Sequence, residues 1–211
     1  MTIGFVLECG PQGADLLVCE YLARSIRPDM AFSSRTLDNK ENLLRDAGKV
    51  AGQLLKDGCR CVLIVWDLRP SWPDKKSRPC RANERQHLLM ALEQAGLPAN
   101  APVYLVCIEQ ELESWLIACD HAINAILSTP AHPFAAKQVK KPDRERQPKA
   151  LMNNYFKAAR GWVYEDRADA VRVLKAADLD WKRLRRSESF ARFEAKLLGC
   201  GDSTGLAAGD P

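Results

Sequence analysis

Carboxylates stand at the ends of the most apolar segments of this chain. Glu8 follows Ile3-Gly4-Phe5-Val6-Leu7, Asp67 follows Cys61-Val62-Leu63-Ile64-Val65-Trp66, and Glu109 follows the run Val103 to Ile108. Oxygen donors of this kind suit a hard divalent cation that keeps positions open for water and phosphate. One strand-end acid alone more often faces water or caps the next helix. Two of them after strongly buried runs, Glu8 and Asp67, raise the expectation of a site. The sequence then continues Glu109-Gln110-Glu111-Leu112-Glu113-Ser114-Trp115, three alternating acids with no basic residue beside them. If a helix starts near Gln110, Glu111 and Glu113 meet the positive end of its dipole. That explains one of the three, but not why the run directly follows a buried strand.

Basic residues gather nearby in the sequence. Arg69, Arg78 and Arg81 flank the loop after Asp67, and Lys137, Lys140, Lys141, Arg144, Arg146 and Lys149 form a second stretch. Such charges suit a phosphate backbone, with Trp72 available to stack on a base. The plainer reading is a solvated charged loop. Lys182-Arg183-Leu184-Arg185-Arg186 reads as the exposed face of the last helix. His87, His121 and His132 show no ligand spacing. The glycines Gly4, Gly10 and Gly13 are too loosely spaced for a dinucleotide fingerprint, no Walker lysine follows them, and no GxSxG elbow occurs. No cysteine has an evident histidine partner for nucleophilic catalysis.

The elements that must position these residues alternate. Ile3–Leu7, Cys61–Trp66 and Val103–Ile108 read as buried strands, with a weaker one over Met30–Ser34. Helical patterns fall over Asp15–Ile26, Leu37–Lys56, Ala82–Ala95 and Glu111–Ile126. Strand and helix in alternation predict an α/β fold, with a mainly parallel central sheet flanked by helices on both faces. Beyond Leu127 the pattern changes. A basic, proline-containing loop spans 128–148, an all-helical extension packed on the core spans 149–198, and a flexible tail spans 199–211. The α/β core is residues 1–127. The extension reads as helices over Lys149–Ala159, Asp166–Ala176 and Trp181–Leu198.

With 211 residues the chain can bury one good-sized core. Its net charge of +4 is mild, so the distribution of charge matters more than the total. No apolar run approaches the length of a bilayer span, and Met1–Leu7 lacks the pattern of a secretory signal, so a cytoplasmic location and no membrane partner are expected. The eight cysteines read as buried, reduced residues rather than a disulfide framework, because Cys19, Cys61, Cys107 and Cys119 sit inside apolar patterns. Cys59, Cys61 and Cys80 form a weak alternative as a structural zinc set.

Glu8-Cys9-Gly10-Pro11-Gln12-Gly13-Ala14-Asp15, Val65-Trp66-Asp67 and Glu111-Leu112-Glu113-Ser114-Trp115-Leu116 together resemble the bacterial DUF4276 family, which is related to Toprim-like domains. Lys141-Pro142, Pro148-Lys149, Tyr155 and Ser189-Phe190-Ala191-Arg192-Phe193 extend the resemblance to about residues 3–198. It implies a Toprim-like fold in which a glutamate after the first strand and a DxD after the third hold Mg (or Mn). Topoisomerases, primases and several phage-defence nucleases use that arrangement on phosphodiesters. Glu8 takes the place of the glutamate and Asp67 that of the first aspartate. Arg69 stands at the second DxD position, where it cannot bind metal and opposes it electrostatically, which leaves Glu109, Glu111 or Glu113 to supply the oxygen. Two expectations follow. One is a metal-dependent nuclease acting on nucleic acid, with Glu8 and Asp67 catalytic and Arg69, Arg78, Arg81, Lys137, Lys140 and Lys141 on the phosphates. The other is a non-catalytic module that binds a nucleotide or a partner protein encoded in the same operon.

Overall fold

The apolar runs pair side by side as four strands, β1 (Thr2–Leu7), β2 (Ala31–Thr36), β3 (Cys59–Asp67) and β4 (Val103–Ile108), in the order β2-β1-β3-β4. Every pairing is parallel. The computed structural model describes residues 1–71, 73–74, 76 and 78–200; the expectations for Trp72 and for the tail beyond residue 200 lie outside the described residues. β3 is central and buried along nearly its whole length, which is why it reads as a continuous apolar run rather than an alternating one.

Alternation along the strands still decides which layer each side chain meets. Ile3, Phe5, Leu7, Cys61, Leu63 and Val65 face one side, where α1 (Ala14–Ile26) and the later helices cover them. Val6, Val62, Ile64 and Trp66 face the other, under α2 (Lys40–Lys56) and α3 (Arg81–Gln94). Gly48 allows α2 and α3 to cross closely, since a Cβ there would lie 2.0 Å from the Ala91 carbonyl oxygen. The remaining helices are α4 (Glu113–Ala118), α5 (Asp120–Leu127), α6 (Pro148–Arg160), α7 (Asp166–Lys175), α8 (Trp181–Leu184) and α9 (Glu188–Gly199). Met152, Phe156, Val173, Phe190 and Phe193 from this group share a single core with β1, β3 and β4.

Long-range side-chain bonds correct several sequence expectations. The single helix expected over Glu111–Ile126 is broken at Cys119, and the neighbouring Asp120 carboxylate accepts from both Arg183 and Arg186. Those arginines were expected on a solvated face; they clamp α5 to α8 and the turn that follows it, and Arg185 binds Glu194 through both of its oxygens. The helix expected over Trp181–Leu198 likewise breaks, because Ser187 caps α9 by accepting from the Phe190 amide. Asp143 completes that cap, accepting from the Ser187 and Ser189 hydroxyls and from the Ser189 amide. The basic loop is thus anchored at Asp143, and again where Ala136 N–H meets Asn124 and the Tyr155 hydroxyl meets the Lys137 carbonyl.

α9 also lies along the open edge of β4. Lys196 donates to the Leu105 carbonyl at 2.6 Å and Arg192 to the Cys107 carbonyl at 3.3 Å, occupying acceptors that would otherwise template another strand. α9 ends on Cys200, which is buried and joined to Cys61 in a disulfide. This overturns the expectation that all the cysteines are reduced. It also removes Cys61 from any zinc set, and no metal-holding group of cysteine, histidine or acidic side chains occurs among the described residues. Gly199 and Cys200 belong to the fold rather than to a tail.

Two stability measurements check this architecture. The crosslink closes a loop of 139 residues, so Cys200→Ser is expected to lower stability by up to about 5 kcal/mol. Reductant should lower the melting temperature of the wild type and leave that of the variant unchanged. The second concerns Lys40 and Glu84, only 4% and 3% exposed, which form an ion pair beneath the end of β3. Lys40→Met breaks this buried pair and is expected to cost about 3–5 kcal/mol in denaturant unfolding.

Candidate functional site

Parallel pairing points the carboxyl ends of all four strands the same way. Leu7 pairs with Val65, and Asp67 with Ile108, so Glu8 and Asp67 emerge together at the centre of that edge. The turn Cys9 to Gly13 leads from Glu8 into α1, and a Cβ on Gly13 would lie 2.4 Å from the Cβ of Cys9. Glycine at that position lets α1 begin close behind the strand, which brings Asp15 of its first turn to the same edge. Glu113, at the start of α4, is the fourth acid of the group.

Burial dominates the electrostatics. It raises Glu8 from 4.5 to about 8, with Asp15 and Glu84 adding to the rise while Lys40 and the Asp67 amide oppose it. Asp67 is pushed well above the carboxylate range by burial and then by Asp15, Glu8 and Glu113, although its Oδ2 accepts from the Leu112 amide at 3.3 Å. Asp15 rises to about 6 through burial and Asp166, and Glu113 to about 7 through burial against the pull of Lys149. Oxygen Oε2 of Glu8 and Oδ1 of Asp67 are sealed from solvent without a hydrogen-bond partner. Buried polar atoms are seldom left so. The group is therefore rich in carboxyls that burial and one another keep protonated, and short of donors to offset their charge.

The framework around this group comes largely from residues that sequence reasoning missed, Lys40, Glu84, Tyr164 and Asp166. Lys40 reaches across from α2 to donate to the carbonyls of Leu68 at 3.1 Å and Pro70 at 2.6 Å, besides pairing with Glu84. Glu84 also accepts from the Trp66 indole at 2.8 Å, so the chain leaving Asp67 is held from below. On the other side, the α6–α7 pair brings Lys149, Asp166 and Tyr164 against Glu113. Lys149 binds Asp166, and burial with the carboxylates of Glu113 and Asp166 keeps the Tyr164 phenol protonated. Nothing in the local sequence separates Lys40 from an ordinary exposed helix lysine; only its burial does.

The other anticipated residues scatter. Glu109 is drawn away, accepting from Arg81 at 2.9 Å and Arg192 at 2.6 Å, so the acidic run does have basic partners supplied from distant elements. Glu111 accepts from the Lys149 amide at 3.4 Å. Arg69 does not enter the acidic group; its guanidinium donates outward to Gln110 at 2.8 Å. Arg78, Lys137, Lys140 and Lys141 are exposed, and Lys141 lines a cleft of about 520 Å³ with Arg81, Arg144, Arg186 and Arg192. Burial raises the Cys9 thiol to about 12, which suits packing and not nucleophilic attack.

As a test of metal chemistry, the two orphaned oxygens of Glu8 and Asp67 fit a hard cation in donor type and charge. No three potential ligands are grouped closely enough to hold one among the described residues. The match is thus one of donor chemistry, without an assembled set of ligands among the described residues.

The raised acids make stability depend on pH in a known direction. Unfolded Glu8 loses its proton near 4.5 and folded Glu8 near about 8, so the native state binds more protons across that window. In chelator, the melting temperature is expected to fall as pH rises through the window, and Glu8→Gln should flatten the slope. No family model, curated protein or solved structure matches this chain.

Proposed function

We propose that the chain is a Toprim-like metal-dependent nuclease acting on nucleic-acid phosphodiesters, of the kind used in phage defence or mobile elements. The observation that carries this reading is the pair of buried, partnerless carboxylate oxygens of Glu8 and Asp67 at the carboxyl edge of a parallel sheet. Such edges are where open α/β sheets bind ligands. Glu8 and Asp67 would hold Mg or Mn, and the ion would supply charge neutralisation and a more acidic water. Glu8 would serve as a ligand of that ion or as the general base. Asp67 is fixed by the Leu112 amide. The cations of Arg81, Lys141 and their neighbours would bind the phosphate backbone.

A second reading has its own support. Arg69 occupies the second DxD position, and the described residues hold no three-ligand group. Both fit a non-catalytic module that binds a nucleotide or a partner protein at the same edge. No helix among the described residues is long and apolar enough to cross a membrane.

Incubation of DNA and RNA with the purified protein and Mg²⁺ or Mn²⁺ separates the two. The nuclease reading expects cleavage that Glu8→Gln or Asp67→Asn abolishes while the circular dichroism spectrum stays unchanged. It also expects Mn²⁺ to raise the melting temperature of the wild type, because a metal bound only by the native state stabilises it. Absence of both cleavage and a shift supports the module.

A further inference from the structure

Arg69 is out of place as a metal ligand, and its surroundings give it another task. Its backbone N–H donates to the Gln110 carbonyl at 3.0 Å and its guanidinium to the Gln110 side chain at 2.8 Å. Gln110 is in turn fixed by donating to the Asp143 carbonyl at 3.3 Å. Arg69 is therefore held in one direction, along the wall of a cleft of about 320 Å³ between the end of β3 and the start of α6.

The same cleft is lined by Arg146 and Lys149. Arg146 is exposed and has no carboxylate partner among the described residues. Lys149 binds Asp166 on one side and is half-buried. Among the described residues Glu111 is the single carboxylate on the wall, and its Oε2 is turned to the Lys149 amide. Lys149 shares its charge with Asp166, and Arg69 and Arg146 against the one engaged acid still leave a surplus of positive charge in a concave space. Its volume lies at the small end of ligand sites, enough for a phosphate and its sugar. Arginine pairs grip phosphate oxygens through two parallel bonds, and a dianion gains more from them than a monoanion.

We propose that this cleft binds a phosphomonoester dianion, either a free phosphate or the terminal phosphate of a nucleic-acid strand, through Arg69, Arg146 and Lys149. The arginine that breaks the metal motif thus serves the substrate instead of the cation. The strand-end form of the proposal rests on the nuclease reading and sharpens it from internal to terminal phosphates. Phosphate binding itself stands apart from cleavage.

Fluorescence anisotropy in chelator, where no metal-dependent cleavage occurs, tests the proposal. The probes are three versions of one oligonucleotide, phosphorylated at one end, at the other, or at neither, with inorganic phosphate as competitor. Expected is tighter binding, by at least about tenfold, of one phosphorylated strand over the unphosphorylated one. Inorganic phosphate should displace it where chloride at equal ionic strength does not. If inorganic phosphate binds and no strand is preferred, the ligand is a free phosphate ester. Arg69→Gln with Arg146→Gln should abolish phosphate binding, whereas Lys49→Ala with Lys56→Ala, on the exposed side of α2, should leave it. Arg146→Gln alone, which removes no internal bond, should weaken it and guards against loss of fold. Absence of phosphate binding in the wild type, or its survival in the Arg69/Arg146 double variant, overturns the proposal. Phosphate binding without any cleavage would sink the nuclease reading alone, and cleavage without phosphate binding would sink this proposal alone.

Discussion

Parallel pairing of β1 with β3 is the constraint on which the rest depends. Both strands are buried on both faces, so their register is set by the interdigitation of Phe5, Leu7, Leu63 and Val65 on one side and Val6, Ile64 and Trp66 on the other. A slip by one residue would turn each of those side chains to the opposite layer. Once the register holds, the acids that follow the two strands have nowhere to go but side by side. The gathering of negative charge at Glu8 and Asp67 is thus enforced by apolar burial elsewhere, and the fold tolerates it by keeping protons on the carboxyls or by admitting a cation.

Two supports keep that edge from relaxing. Beneath it, Lys40 and Glu84 tie α2, α3 and the chain beyond Asp67 into one buried network. A pair so enclosed is a poor source of net stability but a strict fixer of geometry, since any rearrangement would strand one charge. Beside it, the helical extension brings Lys149 against Glu113 and Glu111. Its own attachment runs through Asp143, the Asp120 clamps and the Cys61–Cys200 crosslink. The extension is therefore part of the wall of the candidate site and shares the core beneath it.

The distribution of arginine follows the same logic. Arg81 and Arg192 hold Glu109, Arg183 and Arg186 hold Asp120, and Arg185 holds Glu194. These guanidiniums join elements and orient acids. In the larger cleft Arg81, Arg186 and Arg192 are engaged in such pairs, whereas Arg69 and Arg146 in the smaller cleft have no ion pair among the described residues.

The α/β class, the four strands and the acids at their ends were legible in the sequence, because continuous apolar runs between helical patterns allow few other arrangements. The basic clusters were legible only as charge. Whether Arg186 faces water or Asp120, and whether Glu109 joins Glu8 or is drawn off by Arg81 and Arg192, depends on residues from 28 to 83 positions away. Local periodicity carries no record of such pairings. The buried Lys40, the Cys61–Cys200 crosslink and the breaks at Cys119 and Ser187 belong to the same class. Periodicity along one segment decides what is buried and in which direction a strand ends. Which charges meet across the molecule is decided only when the layers close and desolvation makes an unpaired charge costly.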